Sequence, residues 1–365
     1  MTIEGIGIIG ANRKTTLLSY MLVEKGFQVR VYDSFKESLL VLYAKVKWRL
    51  EKEGRADLLS SIETVQDYSK FHGADLIIDL SSKTYEERFL YFSKILKEVD
   101  DRCIIAISTH TPLLDNFERI RNLPPERSVG VKFPDIFPWS VIEVSKTDYT
   151  DLEAVERFSQ FIDKLSVKYI ITSDIPGGLS EIFLRIYFNA AFNILYKGKG
   201  LPSFIDSAIK QMTGSKYGPF ELLDLGGIDN DYNAGISISE MLNRIDLVPH
   251  EIEHKLFQYG QLGRKSGVGV YIYEDGEIVG ENPVLPSIIR YLGMRRVSKE
   301  EVFSDIVMPI LDVAISVGKN LMVGEQDIET LTRGIFGWEH GIFGYRKLYP
   351  ELFIKKEKSE FDNLE

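Results

Sequence analysis

Residues 7–16 read Gly7-Ile8-Ile9-Gly10-Ala11-Asn12-Arg13-Lys14-Thr15-Thr16, a β-branched run that leads into a helical pattern. A dinucleotide-binding fold carries Gly-x-Gly-x-x-Gly at such a place. There the first glycine makes the tight turn, the second admits the pyrophosphate, and the third lets the helix pack on the strand. Gly10 keeps the first position, whereas Asn12 and Thr15 occupy the second and third. The stretch therefore predicts a Rossmann-like loop with an altered phosphate-binding surface.

The residues around this loop give mixed indications of cofactor binding. Asn12 tolerates positive φ, so we expect the turn to be kept, with its side chain projecting where phosphate oxygens approach. Arg13 and Lys14 either attract phosphate or form an ordinary solvated pair, and the second interpretation is favoured. Asp33 ends the next strand 23 residues after Gly10, the expected distance for an acid that binds the adenosine ribose. We therefore expect weak or shifted binding of NAD, preferred over NADP.

The pattern of the loop continues outward through the first half of the chain. Short apolar runs alternate with amphipathic stretches, which indicates a parallel sheet with crossover helices. The predicted strands are Ile6–Ile9, Val29–Tyr32, Leu76–Leu80, Cys103–Ser108, Val129–Phe133, Val141–Val144 and Lys168–Thr172, and the predicted helices are Thr15–Lys25, Lys36–Glu53 and Tyr85–Val99. The fold class is α/β, with an N-terminal doubly wound parallel sheet.

The second half is predicted to be an all-α domain that contains a tandem repeat. Pro176-Gly177 precedes a long apolar-periodic stretch, and the pattern Gly-x-x-x-Gly-x-Phe occurs at 214–220 and again at 337–343. Chance similarity between two amphipathic helical segments is the alternative to duplication. We predict a Rossmann-like NAD-binding domain at 1–174, a first helical domain at 175–290, and a second, shorter helical repeat at 291–365.

Composition narrows the class of protein. The chain has 365 residues, enough for two or three cores, and its net charge of −10 disfavours nucleic acid as a partner. Cys103 is the only cysteine, so no intramolecular disulfide is expected. No apolar run reaches the length of about 18 residues that a membrane span needs, and no signal peptide precedes the first strand. We expect a cytoplasmic protein with no membrane partner and no metal site.

Three motifs resemble the 3-hydroxyacyl-CoA dehydrogenase family. The stretch Gly218-Pro219-Phe220-Glu221-Leu222-Leu223-Asp224-Leu225-Gly226-Gly227-Ile228-Asp229 resembles the signature of the family's C-terminal domain, and Gly263-Arg264-Lys265-Ser266-Gly267-Val268-Gly269-Val270-Tyr271 resembles the segment that closes it. Val129–Phe133 and Val141–Val144 resemble the catalytic strand pair. The resemblance implies NAD as cofactor and an acyl-CoA substrate. It also implies that residues after about 290 act as a built-in dimer partner, so a monomer or a loose homo-oligomer is expected.

The catalytic pair of the family is altered in this sequence. Family members use a His as general base and a Glu that orients it. Glu143 matches the Glu, but Lys132 stands in place of the His. A lysine carries its proton at neutral pH, so Lys132 is predicted to be a poor base, although it can donate a proton when a 3-ketoacyl group is reduced. The alternative is a structural Lys132–Glu143 ion pair in an inactive site.

Other family positions have changed as well. Glu181 replaces an Asn that supports the catalytic group, and the substrate loop reads Ser108-Thr109-His110-Thr111 where the family has Asn-Thr-Ser. His110 is either a substitute base or a solvated loop residue. Lys83 replaces an acid that contacts the active site. The predicted cofactor-binding residues are Gly10, Ala11, Asn12, Arg13, Lys14, Asp33, Leu80, Ser81 and Lys83, and the predicted substrate-binding residues are Ser108, Thr109, Thr111 and Glu181.

Two functions remain open at the level of sequence. The first is an NAD-dependent oxidoreductase of fatty-acid and acyl-CoA metabolism that acts on a 3-hydroxyacyl-CoA or a related hydroxyacyl compound. The second is an inactive relative that serves as an acyl-CoA-binding or nucleotide-binding subunit or scaffold, with an enoyl-CoA hydratase or thiolase as partner. The loss of the base, the supporting Asn and two loop glycines motivates the second.

Overall fold

The computed structural model describes residues 3–81, 83–108, 123–134, 139–288, 296–321 and 323–353. The chain divides into two compact units. The Rossmann unit comprises Met1–Phe133 and Ile142–Gly178, and the helical unit comprises Pro134–Val141 and Leu179–Glu365. The short segment 134–141, which joins two strands of the first unit, therefore belongs to the second.

The Rossmann unit contains one large sheet. Its strands are β1 (Gly5–Ile9), β2 (Gln28–Tyr32), β3 (Ile62–Val65), β4 (Leu76–Asp79), β5 (Ile104–Ser108), β6 (Ser128–Lys132), β7 (Val141–Lys146) and β8 (Lys168–Ser173). Their spatial order is β3-β2-β1-β4-β5-β6-β7-β8. The pairs from β3 to β6 are parallel, whereas β7 runs antiparallel to β6. This is the doubly wound sheet that the sequence predicts.

Helices of the Rossmann unit connect these strands. They are α1 (Arg13–Glu24), α2 (Lys36–Lys52), α3 (Tyr85–Ile95) and α4 (Leu152–Lys164). Every residue of β4 and β5 is buried, as expected for parallel strands that are covered on both faces and therefore read as continuous apolar runs. The sequence analysis missed β3 and α4. The strand β3 has four residues and a partly exposed pattern at the sheet edge, which leaves a weak signal.

The helical unit carries two similar sets of three helices. The first set is α5 (Gly178–Tyr196), α6 (Pro202–Thr213) and α7 (Pro219–Gly226), followed by α8 (Ile228–Leu242), α9 (Glu251–Gln258) and α10 (Leu285–Ile288). The second set is α11 (Lys299–Asn320), α12 (Glu325–Phe336) and α13 (Ile342–Leu348). The unit also holds a hairpin of β9 (Tyr271–Glu274) and β10 (Glu277–Glu281).

The two sets share a capping arrangement that supports a duplication. Asp206 in α6 accepts hydrogen bonds from the backbone N–H groups of Phe220 and Glu221 at the start of α7. Glu329 in α12 likewise accepts from the N–H groups of Gly341 and Phe343 at the start of α13. Each carboxylate stands eight residues before the glycine that ends its helix, Gly214 or Gly337. A carboxylate at a helix N-terminus satisfies amides that lack intrahelical partners.

The two sets also pack on each other within the helical unit. The ring of Tyr187 in α5 lies 4.6 Å from the ring of Phe336 and 5.9 Å from that of Trp338. The hydroxyl of Tyr345 donates to the carbonyl of Thr213 at 2.9 Å. The first copy thus buries its side chains against the second, as two subunits do at a symmetric interface. In the described part of the chain, no helix combines the length and apolar character needed to span a membrane.

Candidate active site

The centre of the Rossmann unit is the switch point between β1 and β4. The chain moves outward from β1 to β2 and β3 and then returns to place β4 on the other side of β1. Loops that follow the two central strands diverge there, and doubly wound folds bind ligands in the crevice outside these carboxyl ends. The loops beginning at Gly10 and Leu80 are therefore where a dinucleotide is expected.

Gly10 makes the close approach between these two loops. Its φ is +94°, in the region that favours glycine. A Cβ atom on Gly10 would lie 2.7 Å from the Cα and 2.9 Å from the backbone N of Ser81. Because backbone atoms block that space, Gly10 is required for the turn, as the sequence predicts.

Asn12 has a role that differs from the expected one. Its φ of −121° is extended, so positive φ is not what keeps the turn. Its side chain does not project into a phosphate position, because it folds back onto the protein. The amide nitrogen donates to the carbonyl of Leu80 at 2.6 Å, and the amide oxygen caps α1 by accepting from the N–H of Thr15 at 3.0 Å. Asn12 therefore joins the two loops of the crevice.

Thr15 fills the place of the third glycine without separating the helix from the strand. Its side chain is fully buried, and its hydroxyl donates to the carbonyl of Gly10 at 2.5 Å. The polar group is thus satisfied within the turn, which is what burial requires.

Asp33 lies at the end of β2, as a ribose-binding acid should. Its carboxylate accepts from the N–H of Ala11 at 2.7 Å and from the N–H of Phe35 at 2.9 Å. An ionised carboxylate has about four acceptor positions, so Asp33 retains capacity for a ribose hydroxyl. The N–H groups of Ala11 and Thr15 donate to the side chains of Asp33 and Asn12, which reduces the donors directed at phosphate.

A cleft of about 290 Å³ opens beside this loop, on the side of α2. Arg13 and Thr16 line it from α1, and Ser38, Val41 and Lys45 line it from α2. Ala11 and Asn12 of the loop also line it, whereas Lys132 and Glu143 do not. Arg13 and Lys45 bring positive charge to this cleft and Glu37 brings negative charge, so its lining is mixed in charge. Lys14 is the second residue of α1, and a helix N-terminus is suited to an anionic group.

The loop after β4 is held by a buried network that the sequence analysis missed. Arg88 donates to the carbonyls of Ser81 and Ser108 at 2.8 and 3.1 Å, and lies 3.3 Å from the Asp79 carboxylate. Tyr91 donates to the same carboxylate at 2.6 Å. An arginine among the apolar positions of α3 was the available signal. This network connects the predicted cofactor loop to Ser108, the start of the predicted substrate loop.

Lys83 makes its contacts with neighbours of this loop. Its ammonium lies 3.1 Å from the Glu87 carboxylate and 5.3 Å from the ring centroid of Phe35. The positive charge of Lys83 is thus balanced by Glu87, which lies in the first turn of α3. The charge of Lys83 is therefore paired with Glu87. Lys83 does not supply the carboxylate that family members have at this position.

Lys132 and Glu143 are direct cross-strand partners. They occupy opposite positions in the antiparallel register of β6 and β7, so their side chains leave the same face of the sheet. Both are buried, with 5% and 2% of their surface exposed. The hydroxyl of Thr172 in β8 donates to the Glu143 carboxylate at 3.1 Å. Gly178 packs against this carboxylate, because a Cβ there would lie 2.8 Å from Oε1. Both predicted catalytic side chains are thus buried on adjacent strands and leave the same face of the sheet.

The remaining predicted residues divide into three groups. Ser108 ends β5 and is buried. His110, Thr109 and Thr111 lie outside the described residues. Glu181 lies in α5 of the helical unit. No cluster of metal-ligating side chains occurs among the residues that the structure describes.

Comparison with known proteins identifies the class that this fold and site define. The sequence profile of the 3-hydroxyacyl-CoA dehydrogenase NAD-binding domain matches residues 2–175. The profile of the 3-hydroxyacyl-CoA dehydrogenase C-terminal domain matches residues 181–273. The chain therefore belongs to the 3-hydroxyacyl-CoA dehydrogenase family of NAD-dependent oxidoreductases.

Similar proteins carry related names. The chain is 24% identical over 287 residues to a 3-hydroxybutyryl-CoA dehydrogenase of Bradyrhizobium diazoefficiens, covering 76% of this chain and 98% of the relative. It is 24% identical over 285 residues to a probable 3-hydroxybutyryl-CoA dehydrogenase of Bacillus subtilis, covering 75% and 99%. The crystal structure of 3-hydroxybutyryl-CoA dehydrogenase from Escherichia coli K12 matches with a TM-score of 0.84 at 18% identity, covering 100% of this chain and 96% of the other. The fold is thus shared over the full chain.

Proposed function

We propose that the chain is an active NAD-dependent dehydrogenase that reduces a 3-ketoacyl-CoA to the 3-hydroxyacyl-CoA. The observation that carries this proposal is the buried cross-strand pairing of Lys132 with Glu143. A protonated amine beside a carboxylate is suited to donate a proton, whereas oxidation of a hydroxyl needs a base. The replacement of His by Lys therefore favours the reductive direction.

The proposed chemistry divides between cofactor and protein. NADH, when bound, supplies the hydride that reaches the 3-carbon of the substrate. Lys132 donates its proton to the carbonyl oxygen, which becomes the 3-hydroxyl. Glu143, which accepts a hydrogen bond from Thr172 and packs against Gly178, lies opposite Lys132 in the strand register and is proposed to orient the amine. Ser108, Thr109, Thr111 and Glu181 are proposed to hold the acyl-CoA, with His110 as a further proton-transfer group.

The residues present fit NAD. Gly10 provides the turn, Asp33 keeps acceptor capacity for the ribose, and the N-terminus of α1 with Arg13 and Lys14 offers a positive end for the pyrophosphate. Ala11, Asn12, Leu80, Ser81 and Lys83 complete the two loops of the crevice. Engagement of the Ala11 and Thr15 amides within the loop supports weaker binding than an intact glycine motif gives.

The test of this proposal is NADH oxidation with acetoacetyl-CoA, compared across three proteins. We expect the wild type to turn over and Lys132→Ala to lose about 100-fold or more in kcat, the range that general acid catalysis contributes. Lys132→His restores the family's base and should gain oxidation of 3-hydroxybutyryl-CoA. Equal kcat in the wild type and Lys132→Ala would exclude Lys132 as the proton donor.

One observation favours a second candidate, an inactive acyl-CoA-binding or nucleotide-binding subunit or scaffold. The side chains of Asn12 and Asp33 already take the loop amides that phosphate would use. An enoyl-CoA hydratase or thiolase would be the partner of such a subunit. Two measurements separate the candidates. Micromolar NADH binding in calorimetry together with NADH oxidation by acetoacetyl-CoA supports the enzyme. NADH binding without turnover supports a nucleotide-binding subunit, and no heat up to millimolar NADH supports an acyl-CoA-binding subunit or scaffold.

We also propose the domain organisation 1–174, 175–290 and 291–365, with the third part as a built-in partner of the second. The matched caps of Asp206 and Glu329 and the packing of Tyr187 on Phe336 support it. The surface that short members of the family use for dimerisation would then be covered within one chain.

A further inference from the structure

The segment that joins β6 to β7 rests on the second helical copy. Its described residues, Pro134 and Trp139–Val141, belong to the helical unit. Trp139 is buried, and its indole N–H donates to the carbonyl of Pro134 at 2.7 Å. The hydroxyl of Ser140 donates to the carbonyl of Gly334 in α12 at 3.1 Å. Ser140, the residue before β7, is therefore hydrogen-bonded to α12 within the helical unit.

Gly334 is what permits this close approach. A Cβ atom there would overlap Cγ1 of Val141 and lie 2.7 Å from its Cβ and 3.2 Å from the Ser140 hydroxyl. A glycine inside a helix costs about 1 kcal/mol relative to alanine, so its presence in α12 needs a reason. The contact with Val141 supplies that reason.

Val141 is the first residue of β7, and Glu143 follows it by two positions. The paired ladder with β6 ends at Lys132 and Glu143, so Val141 lies just beyond the last cross-strand pair. Alternate residues of a strand leave the same face at a fixed spacing, so a displacement of Val141 is passed along the strand to Glu143. We infer that Gly334 is a positioning residue for the catalytic pair. This inference rests on the function proposed above.

The test compares Gly334→Ala with Gly318→Ala. Gly318 lies in α11 of the same copy, and a Cβ there meets nothing closer than 3.5 Å, so the control adds a methyl group in a helix without a clash. We expect Gly334→Ala to lower kcat for acetoacetyl-CoA reduction at least tenfold with the Kd for NADH unchanged, and Gly318→Ala to change neither. Val141→Ala in the Gly334→Ala protein removes Cγ1, the atom of closest overlap, but keeps the Cβ, so it should restore part of the lost kcat.

Backbone hydrogen exchange in β7 gives a readout that does not depend on turnover. Gly334→Ala should accelerate exchange at Glu143 and Val144, and the added Val141→Ala should reverse it. Should Gly334→Ala fail to fold, Ser140→Ala removes the hydrogen bond without adding bulk and should show the same changes in weaker form. An inactive wild type would overturn the proposed function. The inference about Gly334 would then be tested by hydrogen exchange in β7 alone. Unchanged exchange and kcat in Gly334→Ala, or a loss of kcat that Val141→Ala does not repair, would overturn it.

Discussion

At the scale of single residues, the loop at Gly10 shows what a sequence motif can predict and what it cannot. The sequence identified it as the surviving glycine of the dinucleotide loop, and the structure gives the physical reason in its φ of +94° and its contact with the backbone of Ser81. The role of Asn12 was not predictable, because its hydrogen bond to Leu80 joins positions 68 residues apart. A motif indicates which backbone conformation is needed, but not which distant carbonyl a new side chain will reach.

Replacement of Gly10 by alanine should therefore be costly, and Gly26 offers a matched control. Both glycines have positive φ, but a Cβ at Gly26 has no atom within 4 Å. We expect Gly26→Ala to lower the free energy of unfolding by about 1–3 kcal/mol through backbone strain alone. Gly10→Ala should lose a further 1–3 kcal/mol or so from overpacking and weaken NADH binding at least tenfold. Chemical denaturation and calorimetry measure the two effects, and equal losses for both variants would contradict the argument.

At the scale of elements, α9 depends on an unusual cap. His250 occupies the N-cap position, and its Nδ1 accepts from the N–H of Ile252 at 3.1 Å. The ring stacks on Phe192 at 5.6 Å. Burial, with the Arg185 cation adding to it and Glu251 opposing it, lowers the pKa of His250 to about 4. Only the neutral imidazole can accept this hydrogen bond, so the cap is linked to pH.

The sign of this linkage follows from the two states. The unfolded chain binds a proton near pH 6.5 and the folded chain only near 4, so the stabilising contribution is complete above 6.5 and is lost as the pH falls towards 4. Asparagine is a good N-cap that does not titrate. We expect His250→Asn to remove about 2 kcal/mol of the decline in unfolding free energy between pH 7 and 4, less than full burial would give. Parallel pH profiles for the wild type and the variant would contradict it.

Elements were predicted well where apolar periodicity is strong and poorly where it is not. The strands β4 and β5 are continuous buried runs, and their predicted limits agree within one residue with Leu76–Asp79 and Ile104–Ser108. The edge strand β3 was missed because only Ile62 and Val65 of its four residues are buried. The network around Arg88 was missed for a different reason, since its acceptors Ser81, in the loop after β4, and Ser108, at the end of β5, are far apart in sequence.

At the scale of the whole molecule, the division into units differs from a simple linear order. The sequence analysis places the domain boundary near Asp174. In the structure, the segment 134–141, which lies within the first half of the sequence, groups with the helical unit. The sequence pattern of these eight residues cannot predict that grouping, because the grouping depends on a contact with Gly334, almost 200 positions later in the chain. The repeat, by contrast, was visible in sequence as two copies of Gly-x-x-x-Gly-x-Phe, since both copies need the same turn between capped helices.

The packing of one copy on the other leads to a prediction about assembly. Tyr187 is fully buried, and its neighbours Phe336 and Trp338 come from the second copy. A surface satisfied in this way within one chain has no need of a second chain. We expect the purified protein to be a monomer in light scattering over micromolar concentrations. As a structural check, Trp338→Ala removes a buried indole and should lower the free energy of unfolding by about 3–5 kcal/mol. A dimer mass that persists on dilution would contradict the expectation of a monomer.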